Sequence, residues 1–244
     1  MRKIICITNV FILFFTNNLF SNNENIRRMI DNTEKMYRSV NDYKVEMTIS
    51  VSVPAFRMPK KKYKVFFKQP NKVKIKSRGF GILPRTGMFT SPIENFNNLT
   101  DIRINKGSVR LGENKIMMVG NVIVDSLAIE MPNDYAKLSF KPTVDVIIDT
   151  SNWVVTNVIT KIDTLKIMEI QNEYTLVNDK FLLPLESKVE YFIKDSRFSK
   201  WLKKDIGLLF GNENKINGDM VKGLITVKYD NYQINKGIKD SIFD

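Results

Sequence analysis

The side chains that most often carry out enzyme chemistry are scarce in this sequence. Its 244 residues include no histidine and one cysteine, Cys6. This composition excludes histidine-based triads and histidine metal sites, as well as intrachain disulfides and cysteine zinc sites. The sequence also lacks a Gly-x-Ser-x-Gly nucleophile elbow, a Walker-type phosphate loop and a Gly-x-Gly-x-x-Gly turn. We therefore expect no catalytic residue and a protein that is not an enzyme.

One pair of carboxylates has a spacing that could support acid and base chemistry. Asp145 and Asp149 are four residues apart, so they would share a face of a strand, and glycosidases use such carboxylate pairs. Asp149, however, directly precedes Thr150, Ser151 and Asn152, a run typical of a turn that an aspartate caps. We interpret Asp149 as a turn residue. Acidic residues are not clustered elsewhere, so we expect no metal and no cofactor.

The basic residues point to an anionic partner. Lysine and arginine number 38 against 26 acidic residues, which gives a net charge of +12. Many lysines fall on two strand-like runs, where alternate residues share a face and form a cationic patch. The lysines assigned to this patch as contacts for anionic headgroups are Lys62, Lys64, Lys72, Lys74 and Lys76. A solvated sheet face is the alternative; nucleic acid is disfavoured, because we expect no aromatic residues on the strand face that these lysines share.

The first residues have the pattern of a secretory signal peptide. Arg2 and Lys3 precede an apolar run over 4–15, and the small residue Ser21 follows a polar stretch. The apolar run is too short to span the roughly 30 Å of a bilayer core. We therefore expect residues 1–21 to be cleaved and residues 22–244 to form a single exported domain in the periplasm.

The remaining sequence alternates between strand-like runs and turns after one helix. Apolar residues at helical spacing predict an amphipathic helix over 25–40, and strict alternation predicts a long strand over 43–53. Runs at 62–68 and 72–78 flank Gln69, Pro70 and Asn71 and predict a hairpin. Further strands are predicted at 116–124, 126–131, 144–148, 153–161, 165–174, 181–193 and 221–233. Short turns between successive strands favour one curved antiparallel sheet or barrel.

Two segments interrupt this pattern and are candidate covers of the sheet. The loop over 79–100 is too apolar to be freely exposed, and 197–218 contains a short basic amphipathic helix. That helix could lie on a membrane, close over an apolar cavity or dock on the core. The residues proposed as covers are Phe80, Ile82, Leu83, Met88, Phe89, Trp201, Leu202 and Ile206.

The order of these elements resembles the outer-membrane lipoprotein carrier (LolA-like) family and its lipoprotein-sorting relatives. The resemblance rests on Val40-x-Asp42-Tyr43 at the first strand, on Lys68-x-Pro70-Asn71-Lys72-Val73 in the hairpin, and on the closing run 229–243. It implies an incomplete antiparallel barrel, mainly β with helices over its mouth, around an apolar cavity for acyl chains. The residues expected to line that cavity are Val45, Met47, Ile49, Val51, Tyr63, Val65, Phe67, Val73 and Ile75.

The resemblance implies a periplasmic carrier that shields the acyl chains of lipoproteins, or of related lipids, on the way to the outer membrane. Its partners would be the lipid cargo, an inner-membrane donor, an outer-membrane acceptor and an anionic membrane surface, and the carrier would be a monomer. An envelope-stress or regulatory module that senses lipid on the same fold is the alternative. The two differ in whether bound lipid is handed to another protein or changes a protein contact. A purely structural role of the basic face at a membrane also remains open.

Overall fold

The computed structural model describes residues 23–53, 56–57, 59–77, 91–105, 111–112, 114–123, 142–193 and 221–244. Within these ranges the chain forms two α-helices and eleven strands. The helices are α1 (23–37) and α2 (Pro92–Asn97). The strands are β1 (Asp42–Val53), β2 (Phe56–Arg57), β3 (Lys61–Lys68), β4 (Lys72–Ser77), β5 (Leu99–Ile104), β6 (Lys115–Val122), β7 (Pro142–Asp149), β8 (Val154–Ile162), β9 (Leu165–Val177), β10 (Phe181–Ile193) and β11 (Val221–Ile234).

The described strands form one antiparallel sheet in the order β4-β3-β1-β11-β10-β9-β8-β7-β6-β5, with β2 paired to the end of β1. Neighbours in the sheet are mostly neighbours in sequence, because short turns can join antiparallel strands directly. The exception is β1, which pairs with β11 and so brings the two ends of the domain together. Strands β4 and β5 are the two edges, so the sheet is an incomplete barrel accompanied by helices, as expected.

Helix α1 is the amphipathic helix that the sequence predicts, although it ends at residue 37 rather than 40. Its apolar residues Ile26 and Met29 are both 7% exposed and pack on the sheet. Its last turn is held by the hairpin, since the Gln69 side-chain amide donates to the carbonyls of Tyr37 and Val40, each at 3.2 Å. No helix in the described part of the chain is long and apolar enough to cross a bilayer.

Three of the longer connections leave the sheet at the same end. At one end, tight turns join β3 to β4, β7 to β8 and β9 to β10. At the opposite end lie the strand termini that flank the longer connections 78–91, 123–141 and 194–220. Because successive strand termini alternate between the ends of an antiparallel sheet, the short β8–β9 turn also lies at this end, and the connection 105–114 between β5 and β6 lies at the other. Both predicted covers therefore start at the same end of the sheet.

Most strand predictions are confirmed within two or three residues, and the exceptions are informative. The predicted cover 79–100 overlaps helix α2 and the first residues of the edge strand β5, so its last part belongs to the sheet rather than covering it. Helix α2 begins at a Ser91 cap, whose hydroxyl accepts from the Glu94 amide at 3.2 Å, followed by Pro92. The predicted strand 126–131 lies outside the described residues.

Candidate functional site

The face of the sheet that carries α1, here called the inner face, is apolar from one side to the other. One row of register partners crosses it from β6 to β1 and joins residues that point the same way, because directly opposed residues share a face. This row is Met118, Val146, Val158, Ile170, Val189, Ile225 and Val51. It crosses two separate groups of buried side chains.

The first group, here called the strand cluster, comes only from strands. Each member is at most 6% exposed and the members are in mutual contact. The strand cluster consists of Val45, Met47, Ile49, Val51, Tyr63, Val65, Ile170, Val189, Ile225, Val227 and Tyr229. Strict alternation along β1 produces it, since the residues between carry hydroxyl or charged groups to the other face. Register then stacks Met47 between Tyr63 and Tyr229.

The second group, here called the helix cluster, joins both helices to β6 and β7. Its buried members are Ile26, Met29, Phe96, Met118, Val146 and Ile148. The two helices are tied together by Glu34, whose side chain is nearly buried: one carboxylate oxygen accepts from the Ile93 amide at 3.2 Å and the other binds Arg38 at 2.6 Å. In the described part of the chain no residue of α1 or α2 belongs to the strand cluster.

The structure brings nearly all of the predicted lining residues together. Six of the nine, Val45, Met47, Ile49, Val51, Tyr63 and Val65, are members of the strand cluster, and half-buried Val73 and Ile75 pack against it. Phe67 is 1% exposed but stands apart. Its ring stacks on Tyr43 with the centroids 4.9 Å apart and meets the edge of Tyr37 at 5.7 Å, under the end of α1.

The remaining members of the strand cluster were not among the predicted lining residues. Ile170, Val189, Ile225, Val227 and Tyr229 lie on β9, β10 and β11 and complete the apolar surface beside β1. A signal for them exists in the sequence, because Ile225, Val227 and Tyr229 alternate with threonine and lysine just as the β1 residues do. Pairing of β1 with β11 could not be read from the sequence, since the two strands lie at opposite ends of the chain.

A small polar group lies beside the strand cluster on the inner face. The Ser187 hydroxyl, at 1% exposure, donates to Asn172 at 2.7 Å, and the Asn172 amide donates to the Val155 carbonyl at 3.2 Å. The Tyr174 hydroxyl donates to the same carbonyl at 2.9 Å. Burial raises the pKa of Tyr174 and also that of Tyr229, so both phenols remain neutral at physiological pH. These groups offer hydrogen bonds within the apolar surface but no charge.

The predicted cover residues cannot be placed against the strand cluster. Phe80, Ile82, Leu83, Met88 and Phe89 lie outside the described residues, as do Trp201, Leu202 and Ile206. Their assignment as covers remains a prediction.

The predicted headgroup lysines lie together on the outer face of the β3–β4 hairpin, here called the lysine face. Register places Lys64 opposite Lys76, and Lys72 opposite Lys68. The lysine face consists of Lys62, Lys64, Lys68, Lys72, Lys74 and Lys76. The expectation that no aromatic residue lies on this face is wrong, because half-buried Phe66 is the register partner of Lys74 there. The centroid of the Phe66 ring lies 5.4 Å from the Lys76 ammonium nitrogen. Phe66 faces outward since it alternates with the inward residues of β3.

The carboxylate pair does not form a two-acid site. Asp149 caps the β7–β8 turn, as predicted, by accepting from the Ser151 amide at 2.8 Å and the Asn152 side chain at 3.0 Å. Desolvation opposes ionisation of this carboxyl, but these bonds and the charge of Lys115 together lower its pKa. Asp145 is 3% exposed and pairs with Lys161 beside a polar cavity of about 580 Å³ on the outer face. In the described part of the chain, no group of three or more acidic or cysteine side chains could hold a metal.

We compared the sequence with protein-family models and curated proteins, and the structure with solved structures. No protein-family model and no curated protein matches the sequence. The structure is similar to that of a LolA superfamily protein, NE2245 from Nitrosomonas europaea, with a TM-score of 0.51 and 8% identity over 89% of this chain and 96% of that one. Matches with a DUF1329 family protein from Desulfovibrio piger cover 89% and 96% of the two chains, with a TM-score of 0.48 and 9% identity. A domain from Vibrio parahaemolyticus assigned to outer-membrane lipoprotein sorting matches with a TM-score of 0.49 and 7% identity, and the match covers 88% of this chain and 95% of that one. The match with NE2245, whose TM-score exceeds 0.5, confirms the LolA-like fold expected from the sequence.

Proposed function

We propose that this protein is an exported lipid carrier that shields the acyl chains of lipoproteins, or of related lipids, between the inner and outer membranes. The observation that carries the proposal is the strand cluster. It is a continuous apolar surface on the inner face of an open sheet, and the described helices pack on the neighbouring helix cluster instead. An apolar surface of this kind suits an acyl chain, which needs burial but no chemistry.

The energetics favour binding and make release the controlled step. Each buried CH₂ group contributes about 0.8 kcal/mol, so one long acyl chain supplies ample free energy for transfer from water. Because the members of the strand cluster are buried, an acyl chain would enter only where the contacts that bury them open. Of the predicted covers 79–100 and 197–218, the part of the first that precedes α2 and the whole of the second connect to strands at one end of the sheet, which supports their assignment as the segments that move.

The proposed cycle requires partners on both membranes. An inner-membrane donor would load the carrier, an outer-membrane acceptor would unload it, and the carrier would travel as a monomer without a cofactor. The predicted signal peptide over 1–21 supports a periplasmic location. The lysine face would meet anionic headgroups, because six lysines on one hairpin create a positive local field.

Two matched methionines test where the acyl chain lies. Met47 in the strand cluster is 0% exposed and Met118 in the helix cluster is 1% exposed. A Met47→Trp variant places a larger side chain in the proposed binding surface, so we expect it to lose at least tenfold in affinity for a fluorescent fatty-acyl probe. Met118→Trp overpacks the helix cluster, which costs about 1–3 kcal/mol of stability, but the folded fraction should keep the wild-type probe affinity.

The outcomes separate the proposal from its alternatives. Native mass spectrometry of protein purified from its own periplasm should show a stoichiometric acylated ligand, and denaturation would release it for identification. A protein that carries no lipid and does not bind the acyl probe would overturn the carrier proposal. Equal probe affinity in the Met47→Trp and wild-type proteins would instead show that lipid binds elsewhere.

A further inference from the structure

The segment that follows β11 lies across the lysine face. The Lys68 ammonium donates to the Asp240 carboxylate at 2.9 Å and to the Ile238 carbonyl at 3.0 Å. The Lys72 ammonium donates to the same Asp240 oxygen at 2.9 Å. One carboxylate thus bridges two lysines that register places opposite each other on β3 and β4. Without such a bridge, two adjacent ammonium groups would repel each other.

The contact continues along the hairpin but leaves part of the lysine face unoccupied by acidic groups. The Lys74 ammonium donates to the main-chain oxygen of Asp244. Lys62 and Lys64 are exposed and make no ion pair with any residue that the structure describes. The acidic segment therefore engages the half of the lysine face nearest the β3–β4 turn. These contacts show that the surface accepts carboxylates in the way that a surface for anionic groups must.

The two ends of this segment are held with different strength. Its beginning is fixed, because the Asp42 carboxylate, in a residue only 6% exposed, accepts from the amides of Lys236 and Gly237 at 3.1 Å each. Its far end is held by exposed groups: the side chains of Asp240 and Lys72 are 62% and 46% exposed. Exposed ion pairs are weak and are screened by salt, so competing anions can displace this end while the beginning stays in place.

We propose that residues 238–244 act as an internal acidic ligand of the lysine face, which a membrane surface rich in anionic lipids displaces. This inference rests on the proposed contact between the lysine face and anionic headgroups. Lysine is a compact point charge that pairs with phosphate as readily as with carboxylate, so the headgroup can take the position of Asp240. The carrier would then present its full lysine face only where anionic lipid is dense enough to compete.

The test compares two charge-matched variants in binding to vesicles. Asp240→Asn removes the bridging carboxylate. Asp179→Asn makes the same change in net charge in the β9–β10 turn, at a left-handed position (φ 53°) that asparagine tolerates well. With phosphatidylglycerol vesicles at low salt, we expect Asp240→Asn to bind roughly threefold more tightly than Asp179→Asn, because the weak ion pairs of Asp240 with Lys68 and Lys72 no longer compete with the headgroups. Neither variant should bind phosphatidylcholine vesicles.

A second measurement follows the segment itself. Residues 22–244 contain no cysteine, so a nitroxide on Ser241→Cys, which replaces an exposed side chain, reports on this segment alone. We expect its mobility to rise on addition of phosphatidylglycerol vesicles and to stay constant with phosphatidylcholine. Unchanged label mobility in the vesicle-bound protein, or equal vesicle affinity in the two aspartate variants, would overturn the inference while leaving the headgroup contact intact. Failure of every form, wild type included, to bind anionic vesicles would overturn the headgroup contact itself, and acyl-probe binding would remain a separate result.

Discussion

The strand cluster and the helix cluster lie on one face of one sheet, yet they are built differently. The row of register partners from Met118 to Val51 runs through both without interruption. In the helix cluster, side chains from α1 and α2 complete the packing. In the strand cluster, every buried member comes from a strand. On this one face, the same alternating pattern thus forms a helix-covered core over β6 and β7 and, in our proposal, a surface for cargo around β1 and β11.

The difference also appears in the polar groups within each half. Glu34 ties the two helices together, so the cover of the helix cluster is a fixed part of the fold. The inner face beside the strand cluster instead carries the phenols of buried Tyr229 and of half-buried Tyr43 and Tyr232, and desolvation raises the pKa of all three. The helix cluster thus has a cover that is tied to itself by a hydrogen bond, whereas our proposal requires the contacts of the strand cluster to open for cargo.

The largest expected effect comes from truncating matched isoleucines. Ile148 in the helix cluster is 0% exposed and Ile49 in the strand cluster is 1% exposed. Ile148→Ala should lower the free energy of unfolding in urea by about 2–5 kcal/mol, because α1 and α2 cannot close the space that it leaves. Its folded fraction should bind the acyl probe with wild-type affinity. Ile49→Ala should weaken probe binding roughly tenfold, since it removes apolar contacts with the chain.

The comparison fails if these two variants lose probe affinity to the same extent. Such a result, measured by probe titration under conditions in which both proteins are fully folded, would mean that the two clusters act as one unit. A stability loss confined to Ile49→Ala would reverse their assignment.

A smaller effect is expected from the connection between the two helices. Glu34→Ala removes the acceptor of the Ile93 amide and should lower the free energy of unfolding by about 1–3 kcal/mol, since a partly buried donor loses its partner. Arg38→Gln keeps that acceptor and removes a partner whose own side chain is 62% exposed, so it should cost less than Glu34→Ala although the Glu34 carboxylate is only 6% exposed. Urea unfolding compares the two. A larger cost for Arg38→Gln than for Glu34→Ala would show that the ion pair, not the bond to α2, holds the helices.

The spacing of apolar residues predicted most helices and strands, because such spacing is set by residues that are close in sequence. The alternation in 43–53 identified both β1 and the face on which Met47 and Ile49 lie. Predicting the rest required contacts between distant residues. Edge strand β5 escaped detection because a bulge interrupts its pairing between Thr100 and Arg103 and breaks the alternation.

Pairing across the whole chain likewise hid part of the candidate site. Val227 and Tyr229 join the strand cluster through the pairing of β11 with β1, which no local pattern reveals. For the same reason, the sequence predicted the lysine face but not the contact that residues 238–244 make with it. Asp240 is far from Lys68 in the chain and reaches it only because β11 returns beside β1.

The smallest expected effect at neutral pH comes from half-buried Tyr232, and the pH dependence of this effect distinguishes the two clusters. Tyr232 packs against the strand cluster and donates to the Pro184 carbonyl at 2.8 Å. The pKa of Tyr232 lies above the value of 10.0 expected in the unfolded chain. The larger cause is desolvation, and the second is the neighbouring phenol of Tyr43. The contribution of Tyr232 to stability is therefore complete below pH 10 and is lost as the pH rises toward the folded-state pKa, by up to about 1.4 kcal/mol per pH unit.

Tyr232→Phe should accordingly cost about 1 kcal/mol at pH 7, where the hydrogen bond is lost, and reduce the decline in stability above pH 10. Phe96→Leu is the control in the helix cluster, which contains no tyrosine among its described members, and it should lower stability equally at both pH values. Urea unfolding at pH 7 and pH 10.5 measures both. Parallel pH profiles for wild type and Tyr232→Phe would show that this phenol ionises freely in the folded protein, and the strand cluster would then be no more sensitive to alkali than the helix cluster. If the free energy of unfolding of Tyr232→Phe alone falls less steeply with pH, the loss of stability at alkaline pH arises at the strand cluster. Our proposal places the contacts that cargo must change at that cluster.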